Sequence, residues 1–246
     1  PDEPNALNGM GVVAFRENRL VEAENYHRRA IEGFPDNPAF HNNLNLVYCQ
    51  QGRPREAVEC CRAALKLAPD NALLHNNLGN ALKQAGEADE AAQSYRAAIT
   101  LQPDYADAHY NLANHLVDLR QLPEAESAYR RALELQPRSA EAHNNLGALL
   151  QRTGRIADAA NCFDTALACR AEHAPAHRNR ALLRLLQGNY AEGWPEYEWR
   201  WRMPDVSIPH FEQPRWQGQS LEDRTILLWV EQGMGDAIQF VRYARL

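Results

Sequence analysis

The chain repeats itself every 34 residues. Rows laid out from Pro4 open again at Pro38, Ala72, Ala106, Ala140 and Ala174, with no insertion or deletion. Six units in strict register leave one kind of architecture, a supersecondary unit that recurs and stacks on its neighbours. In the third row His75, Leu78 and Leu82 fall at i, i+3 and i+7 with Gly79 beside them, Ala91, Tyr95 and Ala98 follow, and Pro103 closes the unit. The fourth row repeats this with His109, Leu112, Ala113, Leu116, Ala125, Tyr129, Ala132 and Pro137. Each row therefore predicts two helices with one apolar stripe apiece and small residues where neighbours must approach closely. One such hairpin cannot bury both of its faces, so the core has to run continuously from row to row.

Gly52, Gly86 and Gly154 recur where the first helix of a row must stop, a place that suits a residue without a Cβ penalty at positive φ. Asn18 and Arg120 stand there in the first and fourth rows. Asn is tolerated at such a turn, whereas Arg120 predicts a different local turn. The sixth row departs from the pattern. Arg180 replaces Leu or Met, Gly193 replaces the packing Ala, and Pro195 falls where a second helix is due, which should start or kink there. The aromatic cluster Trp194, Tyr197, Trp199 and Trp201 reads as a cover for the last hairpin or for a following domain, with a ligand-stacking platform as the alternative.

Two columns run through the rows. Asn43, Asn77, Asn111, Asn145 and Asn179 occupy the sixth place, where the first row has Gly9. Asn8, Asn42, Asn76 and Asn144 precede them, and Asn80 and Asn114 lie three residues beyond two of them. A carboxamide offers both a donor and an acceptor, so such a column can grip a peptide backbone whatever its side chains, or can bond to a neighbouring repeat. At the fourth place stand His41, His75, His109, His143 and His177. Stacked helices lie ~8–10 Å apart and zinc needs several nitrogens at ~2.0–2.1 Å, so one His per row cannot close a metal site. Packing with a ring nitrogen on backbone is the expected role, with a pH-sensitive one as the alternative.

The balance of 26 Lys+Arg against 32 Asp+Glu gives −6 and no dense basic stripe, so nucleic acid is not an expected partner. The longest strongly apolar run, Ile226 to Val230, is far short of the ~20 residues of a membrane-spanning helix. Cys49, Cys60, Cys61, Cys162 and Cys169 form an odd set without C-x-x-C spacing, which signals neither a disulfide framework nor a zinc site. A reducing cytoplasm, no membrane and no cofactor are the expectations. The opening at Pro1 and the stop at Leu246 inside an apolar pattern read as a fragment of a longer protein.

The row pattern resembles the tetratricopeptide repeat. That resemblance implies an all-α, right-handed superhelical solenoid of six helical hairpins, at 4–37, 38–71, 72–105, 106–139, 140–173 and 174–203. The segments HNNLN, HNNLGNAL, HYNLANHL, HNNLGALL and HRNRALL resemble the repeat arm of O-linked N-acetylglucosamine transferases, where an asparagine ladder on the concave surface holds the acceptor backbone. By that likeness Asn43, Asn77, Asn111, Asn145 and Asn179, with Asn80 and Asn114, are peptide-binding candidates.

After Met203, Pro204, Pro209 and Pro214 break helix, Ile226 to Val230 reads as a buried strand, and Gln232 to Asp236 leads through a glycine turn into a helix. The run WQGQSLEDRTILLWVEQGMGDAIQFVRY resembles the junction of bacterial repeat proteins with a heptosyltransferase-like glycosyltransferase domain. It implies a linker at 204–224 and the start of a truncated α/β domain at 225–246, with Asp236 as a catalytic-base candidate and Gly233 and Gly235 as cofactor-loop candidates. Residues 225–246 alone are too few to build a sugar-nucleotide pocket, so no catalytic residue is expected to act within this chain. The expected function is a scaffold holding an extended peptide or protein segment. The rival is the acceptor-binding part of a protein glycosyltransferase, and a third reading is a structural arm. An apolar strand without a sheet also predicts self-association through the tail.

Overall fold

The computed structural model describes residues 3–203. They form six helical hairpins: α1 (Pro4–Arg16) with α2 (Leu20–Gly33), α3 (Pro38–Gln50) with α4 (Pro54–Leu67), α5 (Ala72–Ala85) with α6 (Ala88–Leu101), α7 (Ala106–Asp118) with α8 (Leu122–Leu135), α9 (Ala140–Arg152) with α10 (Ile156–Cys169), and α11 (Ala174–Leu186) with α12 (Tyr190–Tyr197), ending in a 3₁₀ turn at Glu198–Arg202. No strand occurs among the described residues. The proposed linker, the strand from Ile226 to Val230 and the turn carrying Gly233, Gly235 and Asp236 lie outside them.

The helix ends follow from local chemistry. Asn37 Oδ1 accepts from the backbone N–H of Ala39 at 3.0 Å, Asn71 Oδ1 from Leu74 at 3.2 Å and Ser139 Oγ from Ala142 at 3.2 Å, each satisfying a donor that has no intrahelical partner. At the other end of α5, Gly86 adopts φ +81° while the Glu87 N–H reaches Leu82 O at 2.9 Å, which turns the chain into α6. Arg120 does not make a different turn. It takes φ 59°, as Asn18 does, and Gln121 N–H bonds to Leu116 O at 2.9 Å in the same pattern. The stacking register fixes the path of the chain, and Arg120 bears the steric cost.

Inside each hairpin a small residue at the eighth place meets a bulky one on the second helix. A Cβ on Gly79 would stand 2.6 Å from Tyr95 Cε1, and one on Gly147 2.7 Å from Phe163 Cε1. The second hairpin exchanges the sizes, with Asn45 at the small place and Cys61 at the bulky one, both buried. Between hairpins, Ala30 clusters with Leu7 and Phe40, and Ala23 with Ala14 and Val47, so alanines on α2 sit between the first helices of two successive rows.

The sixth hairpin has the charged Arg180 where the others have Leu or Met. Arg180 and Arg184 bond to the buried Glu196, Arg184 Nη1 at 2.7 Å, and His177 Nδ1 lies 2.7 Å from the same carboxylate. Burial pushes the Glu196 carboxyl up, but Arg180 and His177 outweigh it and hold the group below its ordinary range. The helix α12 starts at Tyr190, ahead of Pro195 rather than at it, and runs eight residues before tightening. Trp199 stacks on His177 with ring centroids 3.9 Å apart, which gives that ring a packing role, while Trp194 is exposed.

Candidate functional site: the inner asparagine face

Each odd-numbered helix touches the next odd-numbered helix, whereas no two even-numbered helices touch one another among the described residues. The odd helices therefore line the inner side of the stack. The sixth-place asparagines lie on that side, and their amide groups form one repeated device. Asn43 Nδ2 donates to Asn8 Oδ1 at 2.9 Å, Asn77 to Asn42 at 2.7 Å, Asn111 to Asn76 at 3.0 Å and Asn179 to Asn144 at 2.9 Å. In the fourth row Tyr110 takes the acceptor's place, and Asn145 Nδ2 donates to its hydroxyl at 3.0 Å and to Asn114 Oδ1 at 2.9 Å.

Every rung thus hands an N–H to the hairpin before it, so the ladder is a structural brace between rows. The brace does not use up the carboxamides. Asn77 is 8% exposed, while Asn43, Asn111, Asn145 and Asn179 are half-buried. Asn145 Oδ1 accepts from Asn144 Nδ2 at 3.1 Å. The other four rungs bond through Nδ2, which leaves each Oδ1 as an acceptor. Asn80 and Asn114 support this face from below, because their Oδ1 atoms accept from the hydroxyls of Tyr95 at 2.8 Å and Tyr129 at 2.6 Å. Those two phenols are pushed up from their ordinary range by burial and remain neutral donors.

Between the second and third hairpins the inner face holds a pocket of about 400 Å³ lined by Asn45, Leu46, Cys49, Asn77, Asn80 and Lys83 among others. Lys83 Nζ lies 2.8 Å from Asp118 across the next row. The exchange of Asn45 for glycine is legible in the rows once Cys61 is set against Tyr95, Tyr129 and Phe163, but the column alone does not show that the two sites touch. The fifth-place acceptors Asn42, Asn76 and Asn144 are likewise visible as paired Asn-Asn steps, whose bonding partners only the stack brings within reach.

The histidine column does what packing requires. Nε2 of His41, His75, His109 and His143 lies 2.8 to 3.0 Å from the carbonyl oxygen of Pro35, Pro69, Pro103 and Pro137, and His177 meets Ala171 O at 2.8 Å. A carbonyl can only accept, so each Nε2 carries a proton and ties the start of one row to the end of the row before. Among the described residues no three His, Cys, Asp or Glu side chains gather closely enough to hold a metal ion, and no helix is long and apolar enough to cross a membrane.

A stretch of 62 residues is 37% identical to Protein FlbA of Caulobacter vibrioides, covering 24% of this chain and 10% of that protein, so the chain spans about a tenth of that relative's length. Among solved structures, Pseudomonas aeruginosa PilF is similar over 83% of this chain and 93% of its own, with TM-score 0.72 and 20% identity. YrrB, described as a TPR protein with an unusual peptide-binding site, is similar over 73% of this chain and 93% of its own, with TM-score 0.55 and 22% identity. At these identities the likeness concerns the fold. Two family profiles, each described as tetratricopeptide repeat, match residues 46–106 with 149–198 and residues 104–172, and together with the six stacked hairpins they place the chain in the tetratricopeptide-repeat family.

Proposed function

We propose that the chain is a protein-interaction scaffold whose inner face holds an extended segment of a partner. The observation that carries this reading is the acceptor row. The rungs Asn43, Asn77, Asn111 and Asn179 are braced through Nδ2 and retain Oδ1. Braced amides are held in one orientation before any ligand arrives, which lowers the ordering cost of binding. An extended peptide supplies backbone N–H donors at regular spacing and can pair with such acceptors whatever its sequence. The family and the peptide-binding relative YrrB support a binding role of this kind. Asn80 and Asn114 belong to the same site as supports of the phenols beneath it.

The rival reading, in which this face presents an acceptor to a sugar-transferring domain, rests on the sequence likeness alone, and its candidates Asp236, Gly233 and Gly235 lie outside the described residues. The test is a panel of extended peptides titrated against the chain and against Asn111→Asp. That substitution keeps an acceptor oxygen but replaces the bracing N–H donor by a carboxylate. Loss of peptide binding in Asn43→Ala and Asn111→Ala, with N-methylation of the peptide backbone causing a similar loss, supports the reading. Binding indifferent to both overturns it.

A further inference from the structure

The second hairpin sets a buried carboxamide where every other row has Gly or Ala. Gly11, Gly79, Ala113, Gly147 and Ala181 hold the eighth place of their rows, and Asn45 holds it here. Its side chain is 1% exposed. Asn45 Oδ1 accepts from the Cys49 thiol at 3.4 Å, a long bond from a weak donor, and Asn45 Nδ2 is buried without a partner among the described residues. A buried donor left without an acceptor is destabilising, and the Gly or Ala of the other rows carries none. Packing alone therefore does not account for Asn45.

Asn45 lines the pocket of about 400 Å³ on the inner face, and two further amides line it in opposite senses. Asn77 gives its Nδ2 to Asn42 and keeps Oδ1, an acceptor. Asn80 gives its Oδ1 to the Tyr95 hydroxyl and keeps Nδ2, a donor. We infer that this pocket takes a primary carboxamide side chain, glutamine or asparagine, of the segment held on the inner face. This rests on the inner face being a groove for an extended segment, to which the pocket adds a point that reads sequence. The occupant's oxygen accepts from Asn45 and Asn80, and its N–H donates to Asn77 Oδ1. The Asn45 amide, held by little more than the Cys49 contact, turns toward the occupant at small cost.

Other side chains fit less well. A carboxylate brings no donor for Asn77 Oδ1, and the cation at this pocket, Lys83, already lies 2.8 Å from Asp118. An apolar side chain leaves all three amide groups unpaired. A trans peptide unit points its N–H and C=O in opposite directions, whereas a primary carboxamide carries donor and acceptor on one head.

Two probes test this. An extended host peptide of alternating Ala and Ser carries one guest residue, Gln, Asn, Glu, Leu or Ala, and is titrated against the chain. The Gln or Asn guest should bind about tenfold tighter than the Ala guest, and Glu and Leu no tighter than Ala. In Asn45→Leu, which keeps the branched shape without the donor, the carboxamide preference should disappear while the Ala-guest affinity stays unchanged. The melting temperature of that variant should hold or rise, because an unpaired buried donor is gone; if it does not fold, Asn45→Ala, which copies Ala113 of the fourth row, replaces it. The second probe is propionamide alone, which should shift the side-chain amide NMR signals of Asn45, Asn77 and Asn80 in the parent chain, where propionate shifts none of them. Host peptides that bind without a carboxamide preference, or a preference that survives the loss of Asn45, overturn the inference and leave the groove standing. Host peptides that fail to bind while propionamide still shifts the three amides support the pocket and refute the groove. Failure of both probes overturns the inference.

Discussion

Asn77 on α5 donates its side-chain N–H to Asn42 Oδ1 on α3 at 2.7 Å, and both side chains are buried. The amide that lines the pocket between the second and third hairpins also joins those two hairpins. Replacing Asn77 by Ala removes a bond worth ~0.5–1.5 kcal/mol and leaves the buried oxygen of Asn42 without a donor, at a cost of ~1–3 kcal/mol. The expectation is a destabilisation of about 2 kcal/mol in denaturant unfolding, with faster amide exchange in both α3 and α5. Asn111→Ala should cost a similar amount, because the oxygen it leaves without a donor, Asn76 Oδ1, belongs to a side chain as buried as Asn42. An Asn77→Ala chain as stable as the parent would show that the brace contributes nothing.

The Tyr95 ring leaves no room for a Cβ at Gly79. Gly79→Ala should destabilise by ~1–3 kcal/mol through overpacking, even though alanine is the better helix former by ~1 kcal/mol. The ring must also shift away from Asn80, whose Oδ1 accepts its hydroxyl. A compensating Tyr95→Cys, which copies the size exchange of Asn45 and Cys61, should recover part of the loss. Thermal melts of the two single variants and the double variant form the cycle that measures the coupling.

Arg120 holds φ 59° at a turn where Gly86, Gly154 and Gly188 hold φ 81°. Arg120→Gly relieves a strain of ~1–2 kcal/mol and gives back ~0.4–1 kcal/mol through the freer unfolded chain. The net expectation is a gain of up to about 1.5 kcal/mol, read as a higher urea midpoint at unchanged slope. Lower stability would show that the Arg120 side chain makes contacts that outweigh the strain.

His27 is buried against Gly11, with Nδ1 3.0 Å from Asn8 Oδ1, and burial pushes its pKa from 6.5 down to about 4. The folded state therefore binds this proton less readily than the unfolded chain does. The neutral ring's contribution is fully present above pH 6.5 and is lost progressively as the pH falls from there toward about 4. Stability should decline between pH 7 and pH 5, and the decline should be smaller in His27→Gln. An identical decline in that variant would place the titrating group elsewhere.

The sequence by itself determined the period, the pairing of two helices per row and the continuity of the core. Each of these follows from where apolar and small residues fall along one chain, and a spacing of i, i+3 and i+7 has one physical meaning. It also pointed to packing on backbone as the role of the histidine column, whose Nε2 atoms meet carbonyl oxygens at the end of the row before. The stack alone decided what the asparagines do. Asn77 and Asn42 are 35 apart in sequence, and their hydrogen bond exists only because α3 and α5 lie side by side. The stack likewise forced Arg120 into the left-handed region against its own preference, since the next hairpin must begin where the register puts it. The Asn45 and Cys61 exchange, and the gathering of Arg180 and Arg184 on the buried Glu196, are of the same kind. Their meaning lies in what packs against them, and a linear pattern records which residues are present but not which surfaces meet.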